Sequence, residues 1–280
     1  MNDYIERHRV EGKVHLDKIE TETKGDFLDK AAGRARLDEL IAELRELQYR
    51  LYAEDKQSLL VVLQAPDAAG KDGTIRKVFG PLNPQGVKTH PCKVPTRRER
   101  SHDFLWRIHR ATPATGQIAV FNRSHYEDVL VVRVEKLVEK AVWARRYDHI
   151  NHFESLLADR GTRIVKIFLH ISPEEQLERF GKRLFNADKH WKLNEGDYAA
   201  REKWDEYASA YEDAMARCNT DAAPWYVIPA DRKWYRDVAV AEIIAATLRD
   251  MKPAFPPVEA DLDEIRRLYA EAGGQPIPID

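Results

Sequence analysis

The sequence predicts an α/β protein, a three-layer α/β/α domain around a five-stranded, mainly parallel sheet. Five short runs at 59–63, 87–94, 118–121, 163–172 and 224–230 are aliphatic or aromatic enough to read as strands. Helical patterns separate them, and alternating strands and helices imply a parallel sheet with right-handed crossovers. The first strand runs into Ala65-Pro-Asp-Ala-Ala-Gly-Lys-Asp-Gly73, after which Thr74 to Phe79 reads as a helix start. A strand, a glycine-containing turn with a lysine and a helix N-terminus form a phosphate cradle. Amide groups converge there, the helix dipole favours negative charge, and Lys71 adds a full positive charge.

The cradle departs from the usual Gly-x4-Gly-Lys-Ser/Thr spacing. Ala65 stands in place of the first glycine, and Asp72 stands where Ser or Thr would meet a metal. As a bare motif it competes with a polar surface turn; the flanking strand and helix favour the cradle.

Bulk properties narrow the function. At 280 residues, one large domain or one domain with helical extensions is expected. With 45 basic and 47 acidic residues, the net charge of −2 argues against a general nucleic-acid-binding surface. Cys92 and Cys218 are far apart and lack metal-type spacing, which argues against a disulfide framework or zinc site and fits a reducing cytoplasm. The mixed-charge start does not read as a signal peptide, and no apolar run approaches the ~20 residues of a membrane span. A cytoplasmic protein with no membrane partner is expected.

Each element has its own justification. Residues 1–30 are mixed, and Val10, Val14, Leu16 and Ile19 are too irregularly spaced to predict a structure. Over 30–54, Leu37, Leu40, Ile41, Leu44, Leu47 and Leu51 mark one face of a helix that covers the sheet. Arg97, Arg98 and Arg100 follow the second strand; they suit a solvated helix start or an anionic channel equally. An aromatic helix follows, with Phe104, Leu105, Trp106 and Ile108. The third strand ends in Asn122-Arg-Ser-His-Tyr-Glu-Asp128. His149 and His152 lie three apart near Asp148 and Glu154, but without further ligands a solvated helix face is the better reading. Ser172 and Pro173 suit an N-cap and first helical position. Lys182, Arg183, Lys189, His190 and Lys192 alternate with Phe185 and Trp191, as either an exposed basic helix pair or a lid over a polyanion. Arg201, Trp204, Tyr207 and Tyr211 fall at helical steps that suggest packing. A final helix pattern covers 237–251, and a short one lies near 262–272 in a proline-rich tail.

Ligands of parallel α/β sheets sit beyond the carboxyl ends of the strands. The ends at Ala65 and Phe121 would bring Asp67, Lys71, Arg123, Glu127 and Asp128 to one rim. Cations that neutralise phosphoryl oxygens beside carboxylates that hold a metal suit phosphoryl transfer. Because Asn122 occupies a strand end where an acidic residue is often found, Asp67 is the chosen Mg²⁺ ligand.

Taken together, the 65–73 turn, Asn122-Arg-Ser-His-Tyr126, Arg133, Lys182-Arg183 and Trp191-Lys192 with Asp197 resemble the family-2 polyphosphate kinases. The resemblance runs from about Leu59 to Met251, and Tyr126-Glu-Asp128 is similar to the class III subgroup, which is associated with both AMP and ADP. It implies a P-loop kinase fold with a helical lid. It also implies Mg²⁺-dependent phosphoryl transfer from polyphosphate to AMP or ADP, reversibly. Asp67, Lys71, Arg123 and Arg133 match catalytic positions. Ala68, Ala69, Gly70, Asp72, Gly73 and Thr74 fall in the phosphate cradle, with Arg183, Lys189 and Lys192 on the lid. Glu127, Asp128 and Asp197 match nucleotide-side positions. The family's common aspartate and tryptophan are replaced by Asn122 and His125. Expected partners are polyphosphate and adenine nucleotides, with guanine nucleotides open, in a homo-oligomer, dimer or tetramer. The expected layout is an arm and helix at 1–54, the phosphotransferase domain at 55–251 with its lid at about 182–200, and a tail at 252–280. The alternative is an ATP-dependent nucleoside or nucleotide kinase. A nucleotide-binding regulatory module without turnover is the rival outside enzymes.

Overall fold

The computed structural model describes residues 3–277. Its helices are α1 (Asp3–His8), α2 (Lys30–Glu54), α3 (Lys71–Thr74), α4 (Arg97–Arg100), α5 (Trp106–His109), α6 (Val131–Val134), α7 (Lys140–Asp159), α8 (Pro173–Leu184), α9 (Glu195–Glu202), α10 (Trp204–Arg217), α11 (Lys233–Met251) and α12 (Leu262–Glu271). Its strands are β1 (Ser58–Gln64), β2 (Val87–Pro91), β3 (Ile118–Asn122), β4 (Thr162–His170) and β5 (Trp225–Pro229), in the spatial order β2-β3-β1-β4-β5. Every neighbouring pair is parallel. From β1 the chain runs outward to β2 and back to β3, then crosses β1 to β4 and β5 on its other side. That reversal makes its carboxyl end the crevice where such sheets bind ligands.

The period-two geometry of β1 explains the three layers. Leu59, Val61 and Leu63 enter one buried core with residues of α2 and α11, including Leu40, Leu44 and Ile243. Leu60 and Val62 enter the other with Tyr147 and Ile150 of α7 and Met215 of α10. Helix α2 begins at an Asp29 cap whose side chain accepts from the Ala32 amide. Its apolar stripe packs on α11, which is buried over nearly its whole length. Ser172 caps α8 as expected, accepting from Glu175 N–H, with Pro173 in the first turn. His149 and His152 are exposed, in agreement with a solvated helix face.

The first 30 residues are where the sequence is least informative. After α1, Arg9 bridges antiparallel to Tyr226 of edge strand β5, and Val10 N–H donates to the Trp225 carbonyl at 2.9 Å. Val10, Val14 and Leu16 are buried. Their irregular spacing reflects a chain with only one short 3₁₀ turn, at Leu16–Lys18, that is held mainly by tertiary contacts. Prolines shorten β2 against its expected extent: Pro91 ends it, and Pro95 follows before α4 begins at Arg97. The aromatic segment forms a helix of only one turn, α5. After α3 the helix widens into a π-turn over Ile75–Phe79, with Gly80 N–H donating to the Ile75 carbonyl at 3.0 Å.

Candidate active site

The turn after β1 is held from behind. Arg179 on α8 donates to the carbonyls of Ala68 (2.9 Å) and Ala69 (2.8 Å), and Arg236 on α11 to that of Ala69 (3.0 Å). Gln176 donates to the Asp67 carbonyl at 3.0 Å. A trans peptide points its N–H opposite its C=O, so the amide edge of this turn faces away from these cations. Ala68 and Gly70 adopt positive φ, +61° and +111°. At Gly70 a Cβ would lie 1.8 Å from Arg236 Nη1, so only glycine fits. Gly70 caps α3, Lys71 opens it, and Asp72 and Gly73 complete its first turn. Lys71 is buried, and its ammonium arches back to the carbonyls of Ala65 (2.8 Å) and Pro66 (3.4 Å). Burial lowers its pKa; Asp67 opposes that most strongly.

The end of β3 supplies the second half. Arg123 takes φ +60°, and its amide donates to the Leu63 carbonyl at 3.0 Å, tying the two strand ends together. Its guanidinium donates to Asp67 at 2.7 Å and lies 3.8 Å from Glu127. Gln64 donates to Glu127 at 2.9 Å. Asn122 donates to Asp72 at 2.7 Å, and Lys192 lies 3.8 Å from the same carboxylate. Lys192 and Lys189 belong to a 3₁₀ turn after α8, so the lid segment reaches back to the cradle. Arg183 pairs with Asp197 at 3.3 Å across α8 and α9. Burial raises the pKa of Asp197, and the nearby Asp67 carboxylate adds to the rise.

Asp67, Arg123, Glu127 and Asp197 line one cavity of about 780 Å³. Other predicted residues point elsewhere. Asp128 is buried against Arg146 (3.0 Å) and Arg107 (3.8 Å). Burial raises its pKa, against the pull of both arginines. Arg133 on α6 pairs with Asp213 at 2.6 Å and stacks over Trp143. Thr74 donates to Asp237 of α11 at 3.2 Å, which anchors α3.

Several contributors escaped the sequence reading. The sequence singles out neither Arg179 nor Arg236; the available signal was the Arg236-Asp237 pair directly ahead of the apolar run Val238 to Ala241. Trp204, Tyr207 and Tyr211, read as packing residues, also line the cavity, as do residues of the 15–21 segment. Beneath the Arg123 loop, Lys166 is fully buried in β4 and donates to Glu154 (2.6 Å), Tyr126 Oη (2.9 Å) and the Cys218 carbonyl. Glu154 also accepts from Tyr126 (2.9 Å) and pairs with His125 (3.2 Å). A lysine within an apolar strand was its signal.

The family model for polyphosphate kinase 2 matches residues 27–256. The chain belongs to the polyphosphate kinase 2 family. It is 46% identical over 264 residues to the AMP/ADP-polyphosphate phosphotransferase of Meiothermus ruber, covering 93% of this chain and 99% of that one. It is 40% identical to the ADP-polyphosphate phosphotransferase of Rhodopseudomonas palustris, covering 87% and 89%. A crystal structure of Polyphosphate Kinase 2 from Arthrobacter aurescens TC1 superposes with a TM-score of 0.93 at 42% identity, covering 96% of each chain. The P-loop kinase fold expected from the sequence is thus the fold of this family member.

Proposed function

We propose that this chain is a kinase that transfers the terminal phosphoryl group of inorganic polyphosphate to AMP and ADP, reversibly and with Mg²⁺. The observation that carries this reading is the junction of the Lys71 turn with the Arg123–Asp67 pair that lines the cavity. Names of relatives at 46% and 40% identity support the substrate classes.

The two substrates suit different surroundings. Seven carboxylates line the cavity (Asp17, Glu20, Asp67, Glu127, Asp197, Asp205 and Glu212) against two arginines, Arg123 and Arg201. A polyanion is repelled from such a space, whereas a neutral nucleoside is not. Leu16, Phe168, Trp204, Tyr207 and Tyr211 give it apolar walls. The nucleotide therefore enters with its nucleoside in the cavity and its phosphate toward Arg123. Polyphosphate approaches along the rim lined by Lys189, Lys192 and Arg183, with Arg97, Arg98 and Arg100 after β2 extending the cationic track.

At the junction, the amide edge of the turn and Lys71 hold the donor's terminal phosphoryl group. An arriving phosphate competes with Asp67 for Arg123 and with the Ala65 and Pro66 carbonyls for Lys71. The acceptor oxygen is already anionic, so in-line positioning and charge neutralisation carry the rate without a strong general base. Arg133 holds phosphate only by releasing Asp213. Glu127 accepts from Gln64 and faces Arg123 at 3.8 Å, which places its charge beside the acceptor's phosphates. Asp128, at the end of the 122–128 loop, fastens that loop to α5 and α7 through Arg107 and Arg146.

Asp67, Glu127 and Asp197 line the cavity and offer carboxylate oxygens, the donor type Mg²⁺ prefers. Asp67 would be its principal ligand; when bound, Mg²⁺ neutralises charge on the transferring phosphoryl oxygens. Among the described residues no helix is long and apolar enough to cross a membrane, and both cysteines are free and buried. A cytoplasmic homo-oligomer, dimer or tetramer, completes the proposal.

The test supplies AMP and Mg²⁺ with either polyphosphate or ATP as sole donor and resolves the nucleotides by chromatography. The proposal expects ADP and ATP from polyphosphate at a rate well above any product formed with ATP. Efficient transfer from ATP with none from polyphosphate would establish the conventional kinase instead.

A further inference from the structure

We propose that residues 15–21 form a wall of the nucleotide cavity that sets how tightly the nucleotide is held, with His170 as the positioning residue that clasps this strap to the sheet. The inference rests on the reading that the cavity receives the nucleotide. His15, Leu16, Asp17, Ile19, Glu20 and Thr21 all line it, yet the strap lies ahead of the 27–256 stretch matched by the family model.

The strap has little regular structure of its own beyond a 3₁₀ turn at Leu16–Lys18, so its place is set by the groups that hold it. His170 ends β4 at the rim, buried, with Nε2 3.0 Å from the Leu16 carbonyl and 3.2 Å from the Ile19 carbonyl. Two carbonyls can only accept, so Nε2 carries the proton and donates to both. Burial lowers the pKa of the ring, while these carbonyls pull it the other way. Glu212 of α10 accepts from Leu16 N–H at 2.7 Å, and Asp231 N–H donates to the Thr21 carbonyl at 3.0 Å. Leu16 and Ile19 join the core that holds Phe168 and Tyr211, so the strap adds both apolar surface and the Asp17 and Glu20 carboxylates to the cavity. None of these residues belongs to the Lys71–Arg123–Asp67 junction. Loosening the clasp should therefore weaken nucleotide binding and spare phosphoryl transfer.

The test is steady-state kinetics of His170→Ala and His170→Gln, varying AMP and polyphosphate in turn, with thermal melting alongside. His170→Ala should raise KM for AMP roughly tenfold while kcat and KM for polyphosphate stay within about twofold. His170→Gln keeps an N–H donor of similar reach and should recover most of the loss. Equal rises in both KM values, or an unchanged KM for AMP in folded His170→Ala, would overturn the assignment. Trp204→Ala, on the wall contributed by α10, separates the two readings. If it raises KM for AMP and His170→Ala does not, the strap proposal fails and the nucleotide cavity stands. If neither variant moves KM for AMP, the cavity reading fails and takes the strap with it. Should His170→Ala not fold, Ile19→Ala carries the same expectation and the same refutation.

Discussion

Lys71 concentrates the chemistry of this molecule in one side chain. It is buried where desolvation disfavours its charge, and only carbonyls and nearby carboxylates compensate. The sign of the consequence follows from linkage. An unfolded chain holds this proton up to the ordinary lysine value of 10.5, whereas the folded chain releases it at lower pH. Between those values the unfolded state binds more protons, so stability rises with pH. Wild type should therefore gain stability relative to Lys71→Met as pH climbs from the folded-state pKa toward 10.5. Urea denaturation of both proteins at stepped pH checks this; a difference that stays flat or shrinks contradicts the burial argument. Lys71 was legible because a lysine after glycine at a strand–helix junction has few structural uses. Arg179 and Arg236 were far less so, because the carbonyls they hold lie 51 to 167 positions away, and only the Arg236-Asp237 pair leaves a mark in the chain.

At the scale of elements, the loop from Asn122 to Asp128 decides the site, and it rests on a buried ionic hub. Lys166 from β4 and Glu154 from α7 meet Tyr126 and His125 of that loop beneath Arg123 and Glu127. Removing one charge leaves the other buried and unpaired, at a cost of about 3–5 kcal/mol, whereas removing both can be nearly neutral. Lys166→Met should thus melt well below wild type, and Lys166→Met with Glu154→Leu should recover stability over the single variant. The double variant should still transfer phosphoryl groups slowly, since Arg123 would lose its support. Thermal melting and initial rates check both parts; a double variant less stable than Lys166→Met would contradict the account of the hub. Elements with internal periodicity, such as α2 and every strand but β2, were legible at close to their true limits. Residues 3–21 were not, because their contacts lie on β4, β5, α10 and α11, and no repeat in the chain encodes a neighbour so distant.

For the molecule as a whole, the parallel sheet turns separate stretches of sequence into one divided rim. The order β2-β3-β1-β4-β5 sets the cradle and the Arg123 loop side by side, with an acidic, aromatic cavity adjoining them and lid cations reaching in. Most of the junction could be read in advance, since motifs at strand ends share one rim in any parallel sheet. The redirection of Arg133 and Asp128 onto Asp213, Arg107 and Arg146 could not, because a match of position says nothing about which partner a side chain finds. The most direct test follows phosphorus NMR signals in a mixture of polyphosphate, AMP and Mg²⁺ with wild type and with Lys71→Ala. Wild type should convert polyphosphate signal into the β-phosphate signals of ADP and ATP. Lys71→Ala should melt within a few degrees of wild type yet transfer at least about 10³-fold more slowly. Full transfer by Lys71→Ala, or a wild-type protein that leaves AMP unphosphorylated in the presence of polyphosphate, would contradict the account.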